Sequence, residues 1–206
     1  MGRTAETLVG AAVRAAAGAV GGIQGTLRLQ PRPRGLTPAE AEALRRVYRG
    51  SLDLSRIRIV EGAAGLFSLS ARPFALGDFL YMKKVDLTRR LDVLVHEACH
   101  AWQNQREGSR YIGGALIAQA TKGRAAYDWR LERRAGKAWV DFNREAQAQL
   151  IQDVFRWGGR GGSFGDGTFF EDEPLAADVF FHFDGEDMTQ FARDSVEALR
   201  SAAVRS

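Results

Sequence analysis

The chain has a single cysteine, three histidines and no long apolar run, and each shortage narrows what it can be. Cys99 on its own cannot form an intrachain disulfide, so nothing calls for an oxidising compartment and a reducing cytoplasm is the expected setting. Residues 1–23 are rich in Ala and Gly, but Arg14 breaks their apolar stretch below the roughly 20 residues that a bilayer span needs. No cleavage site follows a long apolar core there, so neither a secretory signal nor a membrane span is expected. There is also no internal repeat and no heptad array.

What is present suits one well-packed domain: 206 residues, 45% of them hydrophobic. The expected divisions are an Ala/Gly-rich arm and linker over residues 1–35, a core over 36–157, and a Gly-rich loop with an acidic segment over 158–206 that packs on the core. The net charge of +4 hides an asymmetry. Residues 1–60 hold ten Arg against four acids, and residues 158–206 hold four Arg against ten acids. That balance predicts pairing within the molecule, with ordinary solvated faces of both signs as the plainer alternative. It speaks against a nucleic-acid binder, which gathers positive charge on one uninterrupted face.

Local signals give the element order. Residues 5–23 have helical spacing weakened by four glycines, and the QPRPRG stretch at 30–35 reads as a linker. Thr37-Pro38-Ala39-Glu40 is a capping box with Pro at the first helical position, predicting a helix from Pro38 to about Arg49 that stops at Gly50. Arg56–Glu61 alternates as a half-buried strand, and Asp78–Lys83 follows a turn at Gly77 as a second one. Asp86 is a candidate N-cap for a long helix ending near Gly108, with Leu87, Leu91, Leu94, Val95, Ala98 and Trp102 as its inward stripe. Further helices are predicted over Tyr111–Lys122, Val140–Trp157 and Met188–Val204, with an uncertain basic and aromatic connection at Gly123–Trp139. A flexible loop is predicted at Gly158–Gly167, and an extended buried piece at Val179–Phe183.

The chemistry sits on the Asp86 helix, where Val95–His100 reads V-H-E-A-C-H. Positions four apart on a helix differ by only about 40° in direction, so His96 and His100 project from one face one turn apart. Two ligands of one tetrahedral zinc need that geometry. Glu97, about 100° round from His96, is placed to take a proton from water on the metal without being a ligand itself. With three His and twelve Glu in the chain, chance supplies this motif in roughly 2 of 1,000 shuffles.

A catalytic zinc needs a third protein ligand and one open position. Gln103 and Arg106 stand where the longer H-E-x-x-H-x-x-G-x-x-H form has its Gly and third His, so the ligand must come from elsewhere. Glu145, Gln149 and Asp153 form a polar line beside the apolar stripe Phe142, Ala146, Leu150, Val154 and Trp157. Glu145 is taken as the ligand, with Asp153 or Gln149 orienting an imidazole. The plain alternative for Glu145 is a solvated carboxylate. His182, inside VFFHF, is a second possible ligand and more simply a core histidine. Cys99 is read as a small buried hydrophobe rather than a thiolate ligand. Tyr127, Tyr111, Arg130 and His182 are the candidates for stabilising an oxyanion. Glu171-Asp172-Glu173 with Asp166 is weighed as a Ca²⁺ site and, more simply, as a solvated charge run.

Three segments, LTPAEAEALRRVYRGSLDLSRIRI (36–59), FLYMKKVDLTRRLDVLVHEACHAWQNQ (79–105) and AYDWRLERRAGKAWVDFNREAQAQLIQDVF (126–155), resemble the zincin-like metallopeptidase proteins of bacterial contractile secretion systems, often described as Vgr-related. The pairing of V-H-E-x-x-H-x-W-Q with a later N-x-E-x-Q-A-x-x-I-x-D carries the likeness. The resemblance implies a gluzincin-type centre with Glu145 as the distal zinc ligand. It also implies a link to type VI secretion, as an effector or an accessory protein.

The expected fold is therefore α+β, a zincin-like metallopeptidase domain that is mostly helical with a small sheet before the HExxH helix. The expected function is a Zn²⁺-dependent hydrolase, with metal ligands His96, His100 and Glu145 and with Glu97 as general base. Its substrate is expected to be a peptide or protein, laid along the Phe79–Met82 strand. The competing reading is a non-catalytic, metal-stabilised adaptor or cargo module of a type VI secretion system. The protein is expected to be cytoplasmic, with export through a contractile secretion system as a possible fate.

Overall fold

The thirteen-residue amphipathic segment near the end of the chain and the capping-box helix near its start meet on one core. The computed structural model describes residues 32–62, 72–83, 85–107, 123–165 and 167–202. The arm at 1–23, the Tyr111–Lys122 helix and Tyr111 itself lie outside them. The fold is α+β, with five helices, α1 (Pro38–Tyr48), α2 (Leu91–Glu107), α3 (Trp129–Arg134), α4 (Arg144–Trp157) and α5 (Thr189–Ser201), among the described residues. No helix among those residues is long and apolar enough to cross a membrane.

Helix α1 begins as its sequence dictates. The Thr37 side chain accepts from the backbone of Glu40 and the Glu40 carboxylate accepts from the backbone of Thr37, with Pro38 first in the helix. It ends at Tyr48 with Arg49 as its cap, within a residue of the expected end. Arg49 takes a positive φ of 51° at this cap. Arg49 is held there from across the molecule, donating to the carbonyls of Phe170 and Glu171 and pairing with Glu173 at 3.3 Å.

Strands β1 (Arg58–Glu61), β2 (Phe74–Leu76) and β3 (Phe79–Lys83) form one sheet in the order β1-β3-β2. β1 runs parallel to β3, and β2 is antiparallel to it across the two-residue Gly77–Asp78 turn, where Gly77 takes φ 62°. The central place belongs to β3, so the expected docking of a substrate on its edge is corrected: both of its edges are already paired. The outer edge of β1 is met by Arg34, which exchanges two backbone bonds with Ile59. Alternate side chains serve two layers. Ile59, Leu80 and Met82 enter the main core, whereas Val60 and Tyr81 pack with Phe74 and Leu76 on the other face. This second cluster is why β1 and β3 are buried on both sides rather than half-buried.

Helix α2 starts at Leu91. Asp86 caps a separate turn instead, accepting from the backbone and hydroxyl of Thr88. Helix α4 starts at Arg144 rather than Val140, because the Asn143 side chain accepts from the backbones of Glu145 and Ala146, both at 3.1 Å. Val140 is left exposed in a 3₁₀ turn over Trp139–Asp141, and Trp157, expected on the apolar stripe, is 48% exposed. The uncertain connection before it holds a 3₁₀ turn over Gly123–Tyr127 and then α3.

The glycine-rich stretch is a hairpin rather than a free loop. β4 (Gly159–Arg160) lies between β5 (Ser163–Phe164) and β6 (Val179–Phe180). A Cβ on Gly159 would stand 2.2 Å from the Ser163 carbonyl oxygen, so the pairing needs glycine there. β7 (His182–Phe183) and β8 (Glu186–Asp187) make a further hairpin before α5. Phe169, Phe170, Phe181, Val196 and Leu199 from this region share the core of residues 43–155.

Part of the charge asymmetry is paired within the molecule among the described residues. Arg46 faces Glu171 at 3.9 Å and Arg49 faces Glu173, while Arg160 holds Asp172 at 2.7 Å and Glu171 at 3.6 Å. Of the acidic groups considered for Ca²⁺, Glu171, Asp172 and Glu173 are thus matched by arginines, and Asp166 lies outside the described residues.

Candidate metal centre

Every residue of α2 from Leu94 to Gln105 is buried, so each polar group on that stretch needs a partner or a purpose. Helix α2 packs more closely on α4 than on any other element. The pair delivers the three ligand candidates. The rings of His96 and His100 have centres 5.0 Å apart and planes at 81°. From the first turn of α4, set by the Asn143 cap, Glu145 Oε2 comes 3.5 Å from His96 Nε2 and 3.2 Å from His100 Nε2.

The three ligand atoms lie within 4.8 Å of one another. Ligands bonded to a tetrahedral ion at about 2.0–2.1 Å stand about 3.3–3.4 Å apart. The two distances from Glu145, 3.2 and 3.5 Å, bracket that spacing. His96, Glu97, His100 and Glu145 are only 7, 5, 4 and 3% exposed, so the group is enclosed in a medium that strengthens its electrostatics.

The electrostatics ask for a cation. Burial alone would raise the pKa of Glu145, but the His100 and His96 imidazoles reverse this and hold it well below the usual carboxylate range. Burial alone would lower that of His100, yet Glu145, aided by Glu97 and Gln103, carries it up to about 9. Without a metal, a proton supplies the positive charge that this arrangement demands. Burial raises Glu97, against the pull of His96 and His100. Its Oε2 and His96 Nδ1 are buried with no hydrogen-bond partner among the described residues. A carboxylate oxygen left unspent beside two imidazoles and a second carboxylate is the donor set of a metal site with a base next to it.

The groups expected to orient an imidazole do something else. Asp153 accepts from Trp129 Nε1 at 2.8 Å and from Gln149 Nε2 at 2.9 Å, which fixes α3 on α4. The residue that meets an imidazole is Gln103, whose Oε1 is 2.9 Å from His100 Nδ1. In the sequence Gln103 serves to exclude a longer motif and to complete V-H-E-x-x-H-x-W-Q, with no role assigned toward an imidazole. Its spacing of three from His100 on one helix face was the available signal.

Of the oxyanion candidates, Tyr127 reaches the site. Its ring lies 6.1 Å from that of His96, nearly parallel, with the Arg72 guanidinium 5.5 Å from its centre and bonded to its side chain. Burial, with Glu145 and Glu97 in support, raises the phenol and keeps it a proton donor. Arg130 is bound to Asp128 and Asp184. His182 is exposed on β7 opposite Asp187, neither a core histidine nor near the ligands. Cys99 sits in the apolar core, where burial raises its thiol and Tyr48 is its neighbour.

No protein-family model, curated protein or solved structure matches the chain.

Proposed function

We propose that the protein is a zinc-dependent hydrolase of the gluzincin metallopeptidase kind, with His96, His100 and Glu145 as ligands and Glu97 as general base. One observation carries it: a buried set of three donors beside a glutamate whose Oε2 has no partner among the described residues. Structural zinc is usually closed by four protein ligands, whereas catalytic zinc takes three and keeps a position open. The three ligands found among the described residues favour the enzyme over the metal-stabilised adaptor.

Zinc, when bound, supplies a Lewis acid that brings the pKa of water toward about 7 and polarises a carbonyl. Glu97 accepts the proton of the attacking water. The water oxygen bonds to the peptide carbonyl carbon, the C–N bond breaks, and Glu97 returns the proton to the leaving amine. Its raised pKa suits both halves of that exchange. Tyr127 donates to the carbonyl oxygen as negative charge gathers there. A substrate in extended form adds to β2, the outer strand among the described residues, on the side of the sheet where α2 packs closely.

The small sheet, the HExxH helix and a second ligand-bearing helix support a zincin-like fold. The likeness of the three segments to proteins of contractile secretion systems supports a peptide or protein substrate and a cytoplasmic protein that acts in, or is exported through, a type VI apparatus.

Glu97→Gln tests the reading. Metal content should stay at the wild-type level while peptide hydrolysis falls by about 10²- to 10⁴-fold. Wild-type protein that is fully zinc-loaded and cleaves no peptide, yet binds a secretion component tightly, would hand the case to the adaptor.

A further inference from the structure

Gln147 is the fixed point of a chain of amides that ends at the metal centre. Its Nε2 donates to two backbone carbonyls, those of Trp139 and Val140, each at 3.1 Å. A carbonyl only accepts, so this amide has one orientation and its Oε1 faces Gln103. Trp139 Nε1 donates to the Gln147 carbonyl at 3.2 Å and anchors the same residue from the other side.

The polarity passes on without ambiguity. Gln103 Nε2 donates to Gln147 Oε1 at 2.9 Å and to the Arg144 carbonyl at 3.1 Å. Either bond alone assigns the nitrogen, and both agree. Gln103 Oε1 is then the atom 2.9 Å from His100 Nδ1, and an amide oxygen there requires N–H on the ring. Gln103 is fully buried and Gln147 nearly so, so no solvent competes for these bonds.

We infer that Gln147 and Gln103 are positioning residues that set the tautomer of His100, committing its Nε2 to the cation at the centre. The bond order follows from the backbone of the turn before α4, through two side-chain amides, to a ring on α2. With the proton on Nδ1, the Nε2 lone pair of a neutral ring faces Glu145 Oε2 at 3.2 Å. Two such centres repel unless something positive lies between them, so the relay prepares the site for a metal before it arrives. Among the described residues His96 has no matching constraint, since its Nδ1 lacks a partner there. The inference rests on the metal-centre part of the proposed function and not on the hydrolysis.

The test is long-range ¹H–¹⁵N correlation of the histidine rings, with zinc competition titrations alongside. Zinc-loaded wild type should show His100 bound through Nε2 and protonated at Nδ1. Metal-free wild type should show a slowly exchanging Nδ1 proton, absent in Gln103→Met. Gln103→Met and Gln147→Met should bind zinc about 10- to 100-fold more weakly. Coordination through His100 Nδ1, or unchanged zinc affinity in folded Gln103→Met, overturns the relay and leaves the metal centre standing. A protected Nδ1 proton in a wild type that binds no zinc has the opposite meaning: the relay holds and the metal reading falls. If neither Met variant folds, the wild-type spectra decide alone.

Discussion

His100 Nε2 and Glu145 Oε2 lie 3.2 Å apart on two different helices, both groups buried. A buried carboxylate and imidazole this close are stable only around a positive charge, supplied by a proton or by a metal. Zinc should therefore stabilise the folded protein, by about 4 kcal/mol when free zinc exceeds its dissociation constant a thousandfold. Thermal unfolding before and after chelation measures this. Glu145→Ala should abolish the shift, and an undiminished shift in that variant would remove Glu145 from the ligand set.

Tyr127 stacks 6.1 Å from His96, beside the ligand group. Tyr127→Phe keeps the ring and deletes the donor, so turnover of a cleaved peptide should fall by about 10²- to 10³-fold. Zinc affinity should hold. Steady-state kinetics paired with a zinc titration separates a lost donor from a disturbed site.

Asn143 sets where α4 begins and thereby where Glu145 points, and it also donates to Glu132 Oε1 at 2.9 Å. Asn143→Ala should cost about 1 kcal/mol in denaturant unfolding and weaken zinc binding along with it. Asn143→Ser restores the cap and should recover most of both. Full zinc affinity in the alanine variant would show that the cap does not aim Glu145.

At the far end of the helix pair, Asp92 on α2 accepts from Gln152 on α4 at 2.9 Å and from Arg90 at 2.9 and 3.1 Å. Burial works to raise its pKa, and the bonds from Arg90 and Gln152 overcome that and lower it. A lowered folded pKa means stability that is present above the unfolded value of about 3.9 and lost as pH falls through the folded one. Wild type should thus be more stable than Asp92→Asn at neutral pH, by a margin that shrinks below about pH 4. Unfolding free energies at several pH values test this, and a constant margin refutes it.

Much of this was legible in the chain because the signals were local. The capping box fixes α1, and H-E-x-x-H on a helix fixes the relation of His96 to His100, since both depend on spacing alone. Glu145 was chosen from a polar line beside an apolar stripe, and Gln149 and Asp153 on the same line serve Trp129 instead. Periodicity identifies a face but not which neighbour the face meets. The helix starts that differ share one cause: at Asn143 and Asp86 a side chain captures backbone donors and restarts the chain. β2, a three-residue strand, has no period long enough to read, so the order that makes β3 central was invisible.

Arg200 on α5 donates to the carbonyls of Arg46 and Val47 at the end of α1, and to those of Phe170 and Asp172. One guanidinium thus serves oxygens from segments made more than a hundred residues earlier and from one made shortly before it. A chain growing from its N-terminus cannot complete this junction until α5 has emerged. Until then the inner face of α1, with Leu44, Val47 and Tyr48, has no lasting cover from that side. Nascent chains halted before residue 200 should therefore be the forms that holdase chaperones and proteases seize first.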